Sequence, residues 1–463
     1  MKKPLAAIAV MLLGGSLAPS LRAQTADPGV NLISNATGSF NVDGRFQLFG
    51  MAENVPDSVR NNNRVYLFLK ESRLGVKGNY KGIKYETQVS LGGEEQTSSN
   101  SPTLSLLDAY ADIPVPVRGA SIMAGQFRIP YSREALTDSG YMTYTARSLE
   151  SEAFNWGGPS NEGGRDVGLS INDYRGKFAG TMGVFAGGGR DVNVNPTHAL
   201  PEILGIPMMV ARVGYENGAD QDIYHVTQNS LDVTKTEKAA FVNALFMKDS
   251  TIGHSTVLNT DPTGDKPLLI DPNWNPYIAE EQCVVSGTTC SPIPATLADG
   301  ALFMVGGDWI ERKPVDDNQV LTGETEFDWG GYQNGYGGVH MTAWRAQGSY
   351  RYHAWEMGLR YVGLLPGRTM GVGSYSSTDG LLTSVDLLNS PVIDEITPSL
   401  TWYIHGHNVK LVGDVPLYLN MPVLHEAGVG SYVLADLPDQ LSASKSITRD
   451  FIPEIRGMLQ FLF

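Results

Sequence analysis

The chain has 463 residues, with 34 Lys and Arg against 49 Asp and Glu, a formal net charge of −15. That acidic balance argues against nucleic acid as a partner. Beyond the N-terminus no run of 18 apolar residues occurs, which excludes a transmembrane helix, so a membrane-spanning form of this chain has to be a closed β-barrel.

Residues 1–23 read MKKPLAAIAVMLLGGSLAPSLRA. Lys2 and Lys3 precede the apolar run 5–13, and Leu21-Arg22-Ala23 fits a cleavage site. This is the layout of a secretory signal peptide, too short in its apolar part to be an anchor. Without Lys2, Lys3 and Arg22 the balance is 31 basic to 49 acidic residues, net −18. Residues 24–44 are expected to form an N-terminal periplasmic segment, and 45–463 the barrel.

Strands are read from period-two alternation. The first lie near Phe46 and Val65, although 65–72 breaks the alternation. Over 83–91, Ile83, Tyr85, Thr87, Val89 and Leu91 share one face and Lys84, Glu86, Gln88 and Ser90 the other. Tyr80-Lys81-Gly82 before it reads as a hairpin turn. Strands over 106–113 and 120–128 follow. Then come 36 residues, 129–164, without alternation and rich in Arg, Ser, Tyr and Gly. An insertion of that length is a surface loop, a disordered stretch or a functional segment. Tyr131, Tyr141, Tyr144, Phe154 and Trp156 favour a segment folded inward, where a barrel wall covers their apolar bodies. Further strands are expected over 166–172, 177–186, 208–216 and 237–248, the last apolar on both faces in part. The connection 217–235 is long for its side, and 249–299 is a long loop carrying Cys283 and Cys290. The second half is more regular: 301–310 into 319–328, 341–352 into 355–363, and 396–404 into 409–417, with loops near 329–339, 364–391 and 419–450. The last strand places Ile455, Gly457, Leu459, Phe461 and Phe463 on one face, and the chain ends on Phe463.

The count comes to about sixteen antiparallel strands, an even number, with tight turns alternating with long loops. The fold class is therefore all-β, a transmembrane antiparallel barrel with its long third loop folded into the pore. Charges are costly on a lipid-facing surface, so the polar faces line the interior. The acidic lining is then Glu86, Asp108, Asp112, Asp166, Glu216, Asp308, Glu324, Glu326, Glu356, Asp414 and Glu454. The basic lining is Lys84, Arg128, Arg212, Arg345, Arg351, Arg360, Lys410 and Arg456. No sign dominates, and rings of like charge are what give strong ion selectivity.

An exported chain meets an oxidising compartment, so Cys283 and Cys290 are expected to form a local disulfide. The eight histidines are scattered, His405 and His407 sit in a turn, and no G-x-S-x-G elbow occurs. No catalytic residue, cofactor or metal is expected.

The run GQFRIPYSREALTDS from Gly125, then Arg147-Ser148-Leu149, then Arg165-Asp166-Val167-Gly168, is similar to the phosphate-selective porin O and P family. Leu107-Asp108-Ala109-Tyr110, Gly323-Glu324, Arg360-Tyr361 and Thr401-Trp402-Tyr403 fit the same resemblance. It implies a sixteen-stranded trimeric porin of the Gram-negative outer membrane, surrounded by lipid, with a pore-constricting third loop. The final strand resembles the ending that the barrel-insertion machinery reads through a terminal Phe. The implied function is a water-filled channel for passive diffusion of small ions and solutes, anions such as phosphate among them. Constriction residues would be Arg128, Arg133, Glu134, Asp138, Arg147, Arg165 and Asp166, with Glu86, Asp108, Arg345, Arg360 and Lys410 lining the pore. Arg133 and Arg147 are expected to contact a small anion, and Glu134 and Asp138 to favour cations. Two other readings stand beside this one: a secreted all-β binding protein or hydrolase, and a barrel with an adhesive or scaffold role.

Overall fold

The computed structural model describes residues 30–35, 37–56, 61–93, 104–117, 119–154, 164–186, 206–217, 227–228, 230–231, 233–249, 283–286, 289–292, 300–334, 337–366, 373–375, 382–384, 392–426, 429–431 and 446–463. Its wall is formed by β1 (Gly38–Pro56), β2 (Asn61–Tyr80), β3 (Ile83–Gly93), β4 (Ser105–Pro114), β5 (Ala120–Arg128), β6 (Arg165–Arg175), β7 (Phe178–Phe185) and β8 (Ile206–Glu216). It continues through β9 (Glu237–Asp249), β10 (Gly300–Asp316), β11 (Gln319–Asn334), β12 (Gly337–Tyr352), β13 (Trp355–Pro366), β14 (Ile393–His405), β15 (Val409–Asp414 continued by Leu417–Glu426) and β16 (Ser446–Leu462). Each strand pairs antiparallel with the next, and β16 returns to β1, with Arg45 opposite Leu462 and Glu53 opposite Glu454. The sheet is thus a closed barrel of sixteen strands without a free edge. Phe463 completes the seam by exchanging two backbone hydrogen bonds with Gly44, at 2.9 and 3.1 Å.

The alternation expected from the sequence sorts outside from inside. Val167, Leu169, Ile171, Met182, Val184, Val213, Val242, Met357 and Leu359 are exposed on the outer face. The residues between them are buried, Arg212, Arg345 and Arg360 among the most completely. An apolar exterior around a charged interior inverts the soluble arrangement and suits a lipid surround.

Several boundaries differ from the sequence reading, each for a local reason. β1 begins at Gly38, within the stretch expected to be periplasmic, and the strand Val30–Asn35 pairs along its start. Alternation fails at 65–72 because β2 carries a bulge. Leu48 faces Leu69 and Gln47 faces Glu71, so Lys70 is the extra residue and both Lys70 and Glu71 are buried. The Gly-rich stretch 329–339 is not a loop: β11 runs to Asn334 and β12 starts at Gly337. Its glycines make room, since a Cβ on Gly330 would lie 3.1 Å from the Phe154 ring. Strand β15 is broken at Pro416, which has no N–H for the ladder, and resumes at Leu417. It extends into what was expected to be the loop 419–450, and β16 begins at Ser446. The double-sided apolar character of 237–248 also has a cause. Phe241, Leu245 and Met247 point inward, the last two into an apolar cluster with Met208, Leu302, Met304 and Phe154.

At one end the connections are tight. Lys81 and Gly82 both have positive φ, 53° and 89°, the two-residue turn that matches strand twist. The other end carries the long connections, among them 129–164.

Candidate functional site

Residues 129–154 begin where β5 ends at Arg128. The entry is shaped by Gly125 (φ +133°), at which a Cβ would collide with the Ala109 carbonyl of β4. The segment contains two short helices, α1 (Arg133–Leu136) and α2 (Leu149–Ala153), with a 3₁₀ turn at Ser139–Tyr141 between them. Ser132 and Ser148 cap the two helices through their side chains, accepting from Ala135 N and Ser151 N.

Many polar groups of the segment are bonded to inward-facing side chains of the wall strands. Arg133 Nε lies 2.7 Å from Asp308 on β10, and Tyr131 donates to Asp328 on β11 at 2.8 Å. The start of α1 rests on Glu326, which accepts from the amides of Arg133 and Glu134. Arg45 on β1 binds Asp138 and Ser139. Gln460 on β16 donates to Gly140 O at 3.0 Å, Lys410 on β15 to Met142 O at 2.8 Å, and Lys70 on β2 to Thr145 O at 2.6 Å. Asp414 accepts from both Thr145 N and Thr145 Oγ1 at 2.8 Å, and Glu395 on β14 accepts from Leu149 N at 2.8 Å.

The centre of this network is a pair of buried arginines. Arg345 on β12 reaches Glu324 and Glu326 at 2.6 Å, Glu150 at 3.2 Å and Glu134 at 3.6 Å. Arg360 on β13 reaches Glu395 at 2.6 Å and Glu134 at 3.4 Å, donates to Ala146 O, and stacks over the Tyr144 ring at 4.4 Å. Burial opposes the charge of Glu134, but Arg345 and Arg360 outweigh it and hold the carboxyl below its ordinary range. Glu150 is the opposite case. Burial, reinforced by Glu326 and Asp328, pushes it well above that range despite Arg345. Glu150, Glu326 and Asp328 each offer one oxygen within 4.8 Å of the others.

The residues expected to form the constriction therefore divide. Arg133, Glu134 and Arg147 are 4%, 0% and 4% exposed and are engaged within the segment or with the wall. Arg147 donates to the carbonyls of Glu134 and Thr137. Arg133 and Arg147, expected to contact an anion, are thus buried and bonded, Arg133 to Asp308 of the wall and Arg147 within the segment. Arg128, Asp138 and Arg165 lie on the far side of the segment, around a cavity of about 160 Å³. Glu86, Gln88, Asp108 and Tyr110 from β3 and β4, Met123 and Phe127 from β5, and Leu136 from α1 complete its lining. Arg165 pairs with Asp108 at 2.9 Å, Arg128 donates to Leu136 O at 3.0 Å with Asp138 at 3.8 Å, and Tyr110 donates to Glu86 at 2.8 Å. Burial opposes the charge of Asp138, yet Arg45 and Arg128 hold its carboxyl below the ordinary range. Asp166 is buried beside Arg165, outside that lining. Lys84 shares the strand face of Glu86 and Gln88 and is exposed beside the 81–82 turn. Arg45 and Lys70 were missed by the sequence reading; they belong to strands whose alternation was read only at Phe46 and Val65. Cys283 and Cys290 sit on the two arms of a hairpin, opposite Pro292 and Val285; their side chains lie outside the described residues.

The family model for phosphate-selective porin O and P matches residues 40–197. A sequence comparison with curated proteins finds no match. Among solved structures, the chain is similar to the anion-selective porin from Comamonas acidovorans, at 11% identity and TM-score 0.52, covering 92% of this chain and 100% of that one. It is also similar to OmpT of Vibrio cholerae in its trimer form (9% identity, TM-score 0.48, 92% and 100% covered) and to Salmonella typhi OmpF (11%, 0.48, 94% and 100%). At these identities the likeness is one of fold.

Proposed function

We propose that this chain, an outer-membrane porin of the phosphate-selective porin O and P family by its match over residues 40–197, passes small ions and solutes through the gap between its inner segment and the wall strands β3–β6. The observation that carries this reading is the cavity at Asp138. Along 129–154 the segment is bonded to the wall, Asp138 included through Arg45, but Asp138 keeps 32% side-chain exposure and Arg128 15%, whereas Arg133 and Glu134 keep 4% and none. Segment 129–154 is then the pore-narrowing loop. The cavity lining sets Glu86, Asp108 and Asp138 against Arg128 and Arg165. Charges of both signs across a low-dielectric passage orient a solute more than they reject one sign. Phosphate is accordingly one small anion among the solutes that pass, with Arg128 as its guanidinium contact. The assembly is read as a homotrimer in the outer membrane, exported by its signal peptide and inserted through the Phe463 strand.

Planar-bilayer recordings of the purified protein test this. The parent should conduct. Arg128→Glu should shift the reversal potential in a salt gradient toward cation preference, and Asp138→Lys toward anion preference. Parental selectivity in both variants would move the passage away from this cavity.

A further inference from the structure

The tight-turn end of the barrel has one exception. Six of its connections span two to five residues, but 217–236 between β8 and β9 is far longer. A solvated turn has no reason to bury its side chains, yet Gln228, Ser230 and Val233 are 1%, 0% and 7% exposed. Burying polar side chains costs free energy unless they are hydrogen-bonded; the Ser230 hydroxyl and the Gln228 carbonyl oxygen are. Ser230 Oγ donates to Glu356 Oε2 at 2.7 Å, at the turn-side start of β13. The same carboxylate accepts from Ser349 on β12 and Tyr403 on β14, each at 2.5 Å. Gln228 Oε1 accepts from the amide of Thr143, within the inner segment, at 3.2 Å. A connection that leaves the wall between β8 and β9 and bonds to β13 has passed β10, β11 and β12, so it crosses the turn-side mouth. Its bond to Thr143 places it directly against the inner segment.

We infer that the described residues between β8 and β9 (227, 228, 230, 231 and 233–236) form a second constriction, entering from the tight-turn end and stacked on segment 129–154. The lumen is then narrowed by two layers from opposite ends, joined at Gln228 and Thr143. A solute that passes the Asp138 cavity meets this second layer before it leaves; its buried contacts Gln228, Ser230 and Val233 carry no charge and the one acid and one base of 227–236, Asp232 and Lys235, cancel, so the layer acts on flux without setting sign preference. The inference rests on the reading of the lumen as the conducting path.

Two variants test it: replacement of 227–236 by Gly and Ser at equal length, and Gln228→Ala with Ser230→Ala. Heat-modifiable gel mobility establishes that each barrel has formed. Both variants should show a higher single-channel conductance than the parent, the replacement more than the double substitution, at unchanged reversal potential. A folded variant with parental conductance overturns the second constriction while leaving the channel intact. If the replacement yields no barrel, the double substitution decides on the same comparison. A folded parent that carries no current, in company with a silent Arg128→Glu variant, removes the conducting path itself and this inference with it.

Discussion

Replacing Arg345 by Met isolates the attachment of the inner segment. The guanidinium is fully buried and bonds two carboxylates of the wall, Glu324 and Glu326, and two of the segment, Glu150 and Glu134. Methionine fills much of the volume and removes the charge. Breaking a buried ion pair from one side costs about 3–5 kcal/mol, because the remaining charge is left uncompensated. That cost falls on docking more than on the barrel. Strands β11 and β12 keep a continuous ladder from Gln319–Tyr352 to Asn334–Gly337, while the segment can relieve the repulsion by moving away. At about 1.4 kcal/mol per tenfold, the undocked fraction should rise by a factor on the order of 10²–10⁴. Limited proteolysis within 129–154 reports the undocked fraction, and bilayer recording reports its effect on the pore. Faster cleavage and a larger, noisier conductance are expected. Parental cleavage and conductance at pH 8 would refute the assignment of Arg345 as the central clamp.

Glu150 should give the segment a pH dependence of its own. Its carboxyl is raised in the folded protein, so it contributes docking stability that is present below the ordinary carboxylate value and is lost as pH rises through the raised one. Proteolysis of the segment should accelerate on the alkaline side, and Glu150→Gln should flatten that limb; an unchanged limb would assign it to another group. Asp138 has the opposite sign. Its lowered carboxyl contributes stability above the ordinary value that is lost only as pH falls through the lowered one, so Asp138→Asn should weaken docking at pH 7 by the same cleavage assay. Thiol labelling of the unreduced, denatured protein should find no free cysteine; closing the short ring between Cys283 and Cys290 stabilises that loop by roughly 2–3 kcal/mol on the chain-entropy model.

The barrel was legible because lipid and lumen impose opposite demands on alternate residues. Ile455, Leu459 and Phe461 against Glu454, Arg456 and Gln460 state the two faces of β16 without reference to any other strand. Legibility failed where the inner face stopped being polar or the period slipped. Leu245 and Met247 point inward as apolar residues because Phe154 and neighbouring apolar side chains lie there to receive them. Lys70 shifts the period by one, and nothing in the string of letters distinguishes a bulge from the end of a strand. Gly330 read as loop for the same reason: it leaves space for Phe303 O and Met304 on the neighbouring strand and for the ring of Phe154, far away in the chain.

The roles of the inner charges lay further from view. Composition gives Arg133 and Arg128 equal standing, five residues apart and both beside a long insertion. Their difference is made by partners. Arg133 meets Asp308, 175 positions along, and its amide meets Glu326, 193 positions along. Arg128 meets a carbonyl of its own segment and stays 3.8 Å from Asp138. A charge within a narrow lumen can hold the segment to the wall, face what passes, or, as Asp138 does beside Arg45, do both, and exposure marks the second role. Arg133 and Glu134 are closed off by partners on strands that the sequence offers no means of pairing with them. Arg128 and Asp138 face the cavity because β3, β4 and β5 oppose them with Glu86, Tyr110 and Phe127, side chains that leave the gap unfilled. On the proposed reading, selectivity follows from which charges the loop leaves uncovered, and the lumen's total charge is a poor guide to it.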